Sequence, residues 1–290
     1  MKGHPLYGMS GKRSLLIFFS LIFLFSIPFW ALGPIVEQLL PGGLPVDLPI
    51  SSLMVLAPVS AAVLLVWRKE GPGAAKRLLK GAFDYQRINK WAWYAPILLF
   101  WPAAMVLQYG LMTAAGVPLS DPQIPVLIVA GSYVVFFIGA LCEEVGWQGY
   151  ASGPLQERWN ALTASVLLGT VWAAWQIVPL IQMGRSPIQI ALQGLGMVAT
   201  RILIVWLCNN SRGSLFAAIL FHAMNNVTTV VLPNYGWPYN AFFALIILVI
   251  ATATITFLWG PKTLAAFRYA RPGTGVQGGA AKLPIPGAGE

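Results

Sequence analysis

Long apolar runs, separated by short polar or Pro/Gly-rich stretches, dominate the pattern of this chain. A helix needs about 20 mainly apolar residues to cross the ~30 Å hydrocarbon core of a bilayer. Runs of about this length occupy about residues 14–36, 48–67, 91–115, 124–144, 161–181, 188–207, 215–232 and 241–259. The pattern therefore predicts an all-α, polytopic membrane bundle of about eight transmembrane helices.

Composition and charge agree with this prediction. The chain is 57% hydrophobic and 9% charged, whereas soluble domains carry about 25% charged residues. Sixteen of its 18 basic residues flank one end of the predicted spans, and the exceptions are Arg185 and Arg201. Because basic residues stay on the cytoplasmic side, we expect a multi-pass protein of the cell membrane with both termini in the cytoplasm. Topology then explains the net charge of +9 without a nucleic-acid partner.

Three segments follow from the order of these runs. Residues 1–90 hold two spans and a basic cytoplasmic loop that includes a short amphipathic helix, expected to lie at the membrane interface. Residues 91–262 form the membrane core, and residues 263–290 form a basic tail that we expect to be disordered. Cys142 and Cys208 make no ligand-spaced pair and are interpreted as small buried residues.

Two adjacent acids, Glu143 and Glu144, lie at the predicted cytoplasmic end of the fourth span. Ionisable groups at membrane depth are costly and indicate a functional site. Adjacent helical residues point about 100° apart, so one carboxylate can face a reaction centre while the other supports it. Gln148 lies four residues after Glu144 and shares its face. The alternative is a structural acid pair that Arg201 or backbone donors satisfy.

Two further spans carry polar side chains. His222 and Asn226, four residues apart, lie on one helical face, and polar side chains in a lipid-surrounded helix need internal partners. Gln176 is the third polar position. A hydrogen bond between helices is an ordinary alternative role for each of these residues.

These residues form an ordered series of motifs: Glu-Glu-Val-Gly-Trp-x-Gly at 143–149, Trp-Ala-Ala-Trp-x-x-x-Pro at 172–179 and Phe-His-Ala-Met-Asn-Asn at 221–226. The series resembles the CAAX protease and bacteriocin-processing family (CPBP, or Abi) of intramembrane metalloproteases, over about residues 139–232. The resemblance implies a helical membrane core with a site open toward the cytosol. It also implies cleavage of a peptide bond by a glutamate that acts on water directly or through a metal.

Carried over by position, the resemblance makes Glu143 the base that activates water and Glu144 its partner. His222 is then the histidine of the third motif, and Asn226 stabilises the oxyanion or orients the substrate carbonyl.

Three positions depart from the family pattern. Gln148 replaces the arginine of the first motif, Gln176 replaces the histidine of the second, and Trp172 replaces its phenylalanine. An amide neither exchanges a proton near neutral pH nor ligates zinc well. A zinc site with Glu143 and His222 as candidate ligands is therefore incomplete. Arg201, on another span, is the candidate to replace the missing guanidinium, and Trp172 is a second candidate supporting residue.

Three functions remain open at this point. The first is an intramembrane endopeptidase that cleaves a peptide or a lipid-anchored protein near the cytosolic membrane face. The second is a weakened or inactive relative that binds peptides in the membrane. The third, a small transporter with Glu143 and Arg201 along its pathway, lacks the inverted repeats typical of transporters.

The predicted spans place Gln176 and Glu143 at different depths in the membrane. Gln176 is ~22 Å along a helix from Ala161, whereas Glu143 is predicted near the inner membrane face. The two meet if the fifth span begins deeper, tilts, or follows a buried turn at Gly153-Pro154.

Overall fold

The described part of the protein is helical throughout. The structure is a computed structural model and describes residues 12–39, 49–265 and 267–269. The predicted polar start and most of the predicted tail, residues 1–11 and 270–290, lie outside the described residues. The α-helices are α1 (Lys12–Leu39), α2 (Leu56–Glu70), α3 (Pro72–Lys80), α4 (Tyr94–Ala114), α5 (Val126–Gly146), α6 (Gly153–Arg158), α7 (Ala161–Trp175), α8 (Ile177–Gln182), α9 (Pro187–Asn210), α10 (Leu215–Asn226) and α11 (Ala241–Trp259).

Seven helical stretches in the described residues are long and apolar enough to cross a membrane, which confirms a polytopic helical bundle. They are Arg13–Val36, Ile50–Glu70, Trp91–Ala114, Val126–Arg158, Pro187–Asn210, Leu215–Tyr235 and Ala241–Trp259. The remaining predicted span is divided between α7, which has 15 residues, and the short α8. Pro179 explains this division, since a proline ring clashes with the carbonyl four residues earlier. That carbonyl belongs to Trp175, where α7 ends.

The fourth span differs from its prediction, because the helix does not end at Glu143. It continues from α5 through a wide π-helical turn, Trp147–Ser152, into α6, and has 33 residues in all. Glu143 therefore lies ~22 Å from the end of the span at Arg158. The predicted position of the acid pair at the end of the span was wrong: the pair lies near its middle. Wide turns of this kind occur frequently at functional sites.

The longer fourth span also brings the second motif to the acid pair. The chain turns back at Asn160, whose side-chain oxygen caps α7 by accepting the Thr163 N–H at 2.8 Å. Trp172 lies eleven residues, or ~16 Å, after Ala161 along α7. Because α6 and α7 run in opposite directions, Trp172 reaches the level of Glu143 without a buried turn at Gly153-Pro154.

Two glycines allow helix backbones to approach closely around this hairpin. A Cβ atom on Gly146 of α5 would lie 2.6 Å from the Cβ of Pro58 in α2. A Cβ atom on Gly169 of α7 would lie 2.8 Å from the Cα of Val198 in α9. Small residues at such crossings let membrane helices pack backbone to backbone, so α5 packs closely on α2 and α7 packs closely on α9.

The predicted amphipathic helix is α3, and its apolar side packs on the protein rather than on lipid. Ala74, Ala75 and Leu78 are buried, and Leu78 lies against Gly149 in the π-helical turn. Asp84 then fixes the following segment to α10, since its carboxylate accepts hydrogen bonds from the Ser214 hydroxyl and from two backbone N–H groups of the first helical turn. The basic segment after α2 is thereby attached to the helix that carries His222.

The chain after residue 262 is also packed on the bundle. Asn209 and Asn210, at the end of α9, donate hydrogen bonds at 2.7 Å to the carbonyls of Thr263 and Leu264. Leu264 is fully buried. The packing of the core thus extends past the boundary predicted at 262.

Both cysteines are free and buried, in line with their interpretation as small core residues. Cys208 donates a weak hydrogen bond to the Ser214 carbonyl at 3.3 Å. The prediction that Cys142 lies at the end of a span was wrong for the same reason as for the acid pair: it precedes Glu143 in the middle of the 33-residue helix.

Candidate active site

Polar side chains from four helices meet in the interior of the bundle. Helix α5 contributes Glu143 and Glu144, α7 contributes Trp172, α9 contributes Arg201 and α10 contributes His222. None of these five residues is more than 3% exposed. Since charged groups at this depth require partners, their mutual contacts define the site.

Glu144 is fully engaged by two neighbouring helices. Its Oε2 accepts from Nη1 of Arg201 at 2.7 Å, and its Oε1 lies 2.9 Å from Nδ1 of His222. An ionised carboxylate is only an acceptor, so Nδ1 of His222 carries the hydrogen in this contact. The second ring nitrogen, Nε2, takes no part in this contact. Glu144 therefore orients the histidine.

Glu143 has a different environment. Its Oε2 accepts from the indole Nε1 of Trp172 at 2.8 Å, and Trp172 is its one side-chain donor in the part of the chain that the structure describes. The same indole meets His222 edge to face, with ring centroids 5.2 Å apart. The guanidinium of Arg201 lies over the indole ring of Trp172, 4.6 Å from the ring centroid. Trp172 thus contacts three of the four charged or titratable residues of the site: Glu143, His222 and Arg201.

This indole donor is the functional feature that the sequence did not reveal. Trp172 was predicted as a supporting residue that replaces the phenylalanine of the family motif, without a partner being named for it. A phenylalanine ring has no N–H, so the exchange adds a hydrogen bond to Glu143 that the motif residue lacks. The sequence shows that a tryptophan stands where the motif has a phenylalanine. That the indole N–H of this tryptophan reaches Glu143 depends on the packing of α7 against α5.

Gln176 and Asn226 lie next to the central set rather than within its hydrogen-bond network. Gln176 is half-buried at the end of α7, one turn beyond Trp172. Asn226 is half-buried at the end of α10, one turn beyond His222, and its side-chain oxygen accepts from Asn225 at 3.2 Å. Among the described residues, no hydrogen bond joins either amide to Glu143. Gln148 is buried on the π-helical turn, one turn beyond Glu144.

Helix α1, the first span, packs against the residues around the site, although it contains none of the three sequence motifs. Trp175 on α7 donates its indole N–H to the Ser26 hydroxyl of α1 at 2.7 Å. Phe18 of α1 packs edge-on against Trp147 of the π-helical turn, with centroids 6.0 Å apart. Because Trp147 and Trp175 also contact each other, α1 fixes both helices that carry the first two motifs.

The donor set does not fit a three-ligand zinc site. No group of three His, Cys, Asp or Glu side chains in the described ranges is placed to hold a metal ion. Both oxygens of Glu144 already have partners, which leaves Glu143 and the free nitrogen of His222. Gln176 offers only an amide, which is a poor zinc ligand. We therefore derive no step through a metal.

The fold and the buried set together define a class: a polytopic membrane helical bundle whose interior holds a cluster of glutamate, histidine, arginine and tryptophan side chains. Residues 124–228, which contain all three motifs, match the family described as Type II CAAX prenyl endopeptidase Rce1-like. The chain is also 27% identical over 197 residues to CAAX prenyl protease 2 of Methanococcus maripaludis, covering 61% of this chain and 70% of that protein. The resemblance to the CPBP family of membrane endopeptidases is thus confirmed.

Proposed function

We propose that this protein is an active intramembrane endopeptidase in which Glu143 activates a water molecule. The observation that carries the proposal is the unequal environment of the two adjacent acids. Glu144 accepts from Arg201 and contacts His222, so both of its oxygens are engaged. Glu143 is oriented by the Trp172 indole through one oxygen, which leaves the other for water. A general base must reach the proton that it abstracts, and in this proposal the second oxygen of Glu143 makes that contact with water.

The reaction follows from this assignment. Glu143 takes a proton from water, and the resulting hydroxide attacks the carbonyl carbon of the scissile peptide bond. His222, held through Nδ1, presents Nε2 toward the substrate, and the Asn226 amide donates to the oxyanion of the tetrahedral intermediate. Donors directed at developing negative charge are effective in a dry site. Glu143 returns its proton to the leaving amine as the C–N bond breaks.

The proposed substrate is a prenylated peptide or protein, cleaved near the cytosolic membrane face. This class is supported by the name of the relative from Methanococcus maripaludis, which is a CAAX prenyl protease. It is also supported by the depth of the site, because a lipid-anchored substrate is already held in the bilayer that surrounds Glu143. The cytoplasmic orientation rests on the distribution of basic residues.

A binding protein without proteolytic activity is the second candidate, and Gln176 favours it. The amide there cannot take or give a proton near neutral pH. Loss of one member of a catalytic set often lowers the rate by several orders of magnitude, while positioning alone retains part of it. The two candidates share one architecture and differ in whether Glu143 still performs base catalysis.

Cleavage of a fluorogenic farnesylated peptide by the purified, detergent-solubilised protein tests the proposal. We expect Glu143→Gln, which keeps the size and the hydrogen bond from Trp172, to abolish cleavage with an unchanged melting temperature within about 3 °C. Glu157→Gln is the matched control, because Glu157 is exposed on the same long helix. Full activity of Glu143→Gln would refute the assigned base. Peptide binding without cleavage by the unmodified protein would establish the second candidate instead.

A further inference from the structure

Arg201 is a buried charged residue, and a contribution to the stability of the folded protein does not explain its burial. Its side chain has no exposed area, and only Nη1 forms an ion pair, with Glu144. Nε and Nη2 have no hydrogen-bond partner in the described protein. Each unsatisfied buried donor costs about 1–3 kcal/mol, and apolar replacement of a buried ion pair is often neutral or stabilising. A residue retained at such a cost indicates a functional role for its charge.

The surrounding helices hold the guanidinium in one place. Arg201 is near the middle of α9, where that helix crosses α7 at close range. A Cβ atom on Gly169 of α7 would lie 3.1 Å from the Cβ of Arg201, so the arginine stem has no room to move toward α7. The guanidinium also lies over the Trp172 ring at 4.6 Å. It is therefore fixed by backbone packing, by an aromatic face and by Glu144.

From Arg201, a continuous chain of polar contacts leads to the histidine. Nη1 of Arg201 donates to Oε2 of Glu144 at 2.7 Å, and Oε1 of Glu144 contacts Nδ1 of His222 at 2.9 Å. A carboxylate that is ionised and held by a cation fixes the hydrogen on the nearer ring nitrogen. Partners that orient a functional histidine in this way affect activity by about 10–100-fold at metal sites.

We propose that Arg201 is a positioning residue of the proposed reaction. It keeps Glu144 ionised and oriented, and Glu144 in turn keeps the hydrogen on Nδ1 of His222 and leaves Nε2 for the substrate. The catalytic part of this inference rests on the proposed function, because it requires His222 to act on the substrate. The structural part concerns only the hydrogen on the imidazole and is measurable without a substrate.

The structural part is tested by nitrogen NMR of the full-length protein labelled with [15N]histidine. The chain has two histidines, so His4→Gln leaves His222 as the single signal. In that background we expect Arg201→Gln to shift the Nδ1 resonance toward the value of a mixture of the two tautomers. Arg185→Gln is the control, because Arg185 is exposed, and should leave the spectrum unchanged. An unchanged Nδ1 resonance in folded Arg201→Gln would overturn the proposal, whether or not the protein cleaves peptides.

The catalytic part is tested by steady-state kinetics. We expect Arg201→Gln to lower kcat by about 10–100-fold with KM changed less than about threefold, because a positioning residue acts on the reaction and not on peptide binding. Position 148 is one turn beyond Glu144 on the same face, so Gln148→Arg supplies a guanidinium to Glu144 from the π-helical turn. Combined with Arg201→Gln, it should recover at least about tenfold in kcat and restore the Nδ1 resonance.

A variant that retains the charge keeps the test decisive if Arg201→Gln does not fold. Arg201→Lys leaves Glu144 with a cation, but an ammonium is a compact charge without the planar fork and the stacking of guanidinium. We expect a folded protein with kcat lowered about tenfold and a shifted Nδ1 resonance. Folded Arg201→Lys with the kcat and the resonance of the unmodified protein would overturn the proposal.

Discussion

The substitution Gln176→His adds an imidazole one turn beyond Trp172, at the end of α7. Gln176 is half-buried, and its side chain forms no hydrogen bond within the described residues. The exchange therefore removes no hydrogen bond among the described residues, and we expect the melting temperature to change by less than about 3 °C. Because the new group can exchange a proton near neutral pH, any change in rate reports on chemistry and not on folding.

The expected magnitude follows from the contribution of a positioned acid–base group. Such a group contributes about 10²–10⁴-fold, and each tenfold change corresponds to about 1.4 kcal/mol of activation free energy. We expect kcat/KM to rise by at least ~10²-fold, or about 2.7 kcal/mol. The introduced imidazole would also complete a donor set with Glu143 and His222. Metal content should then be measured by mass spectrometry on the same preparation.

The assay compares kcat/KM for farnesylated-peptide cleavage between the unmodified protein and the variant. Gln123→His is the matched control, since Gln123 is exposed at a loop before α5. An unchanged kcat/KM in an active protein would place position 176 outside the reaction centre. A large gain from a barely active starting protein would show that the natural chain is a weakened relative.

Three further outcomes follow from the packing. Trp172→Phe removes the indole donor to the proposed base, and loss of a hydrogen bond to a buried charge should reduce stability by about 1.5–3 kcal/mol in chemical denaturation; no loss would mean that water replaces the donor. Gly169→Ala should lower the melting temperature through an overpacking cost of about 1–3 kcal/mol, because its Cβ would lie 2.8 Å from Val198. Gly194→Ala, whose Cβ has ordinary room, is the control and should be neutral or stabilising. Asp84→Ala should cost about 0.5–2 kcal/mol as a lost helix cap, and equal stability would show that the cap is dispensable.

The described structure agrees with the sequence where local rules suffice. Hydrophobic runs predicted a polytopic helical bundle because a bilayer accepts little other than helices of fixed length. The cost of ionisable groups in lipid directed attention to Glu143, Glu144, Arg201 and His222. These four residues do lie together, although they come from three helices and Glu144 and His222, which contact each other, are 78 positions apart along the chain.

The depth of the site and the pairing of its members depended on tertiary structure. The sequence from Trp147 to Ser152 contains polar and small residues, which suggested the end of a span. In the folded protein Gln148 and Ser152 are buried against other helices, so the helix continues to Arg158 and the acid pair lies deep in the bundle. Burial by a neighbouring helix depends on residues far away in the sequence. The hydrophobicity of one segment therefore cannot predict it.

The roles of the two glutamates separate for the same reason. Helical geometry predicts that adjacent side chains diverge by about 100°, but not which one meets a cation. That choice is made by how α5, α7 and α9 pack in the bundle, where α5 approaches α2 closely at Gly146 and α7 approaches α9 closely at Gly169. The sequence by itself determined which polar residues the bilayer contains. Helix packing decided that Glu144 pairs with Arg201 and that Glu143 accepts the indole hydrogen bond of Trp172.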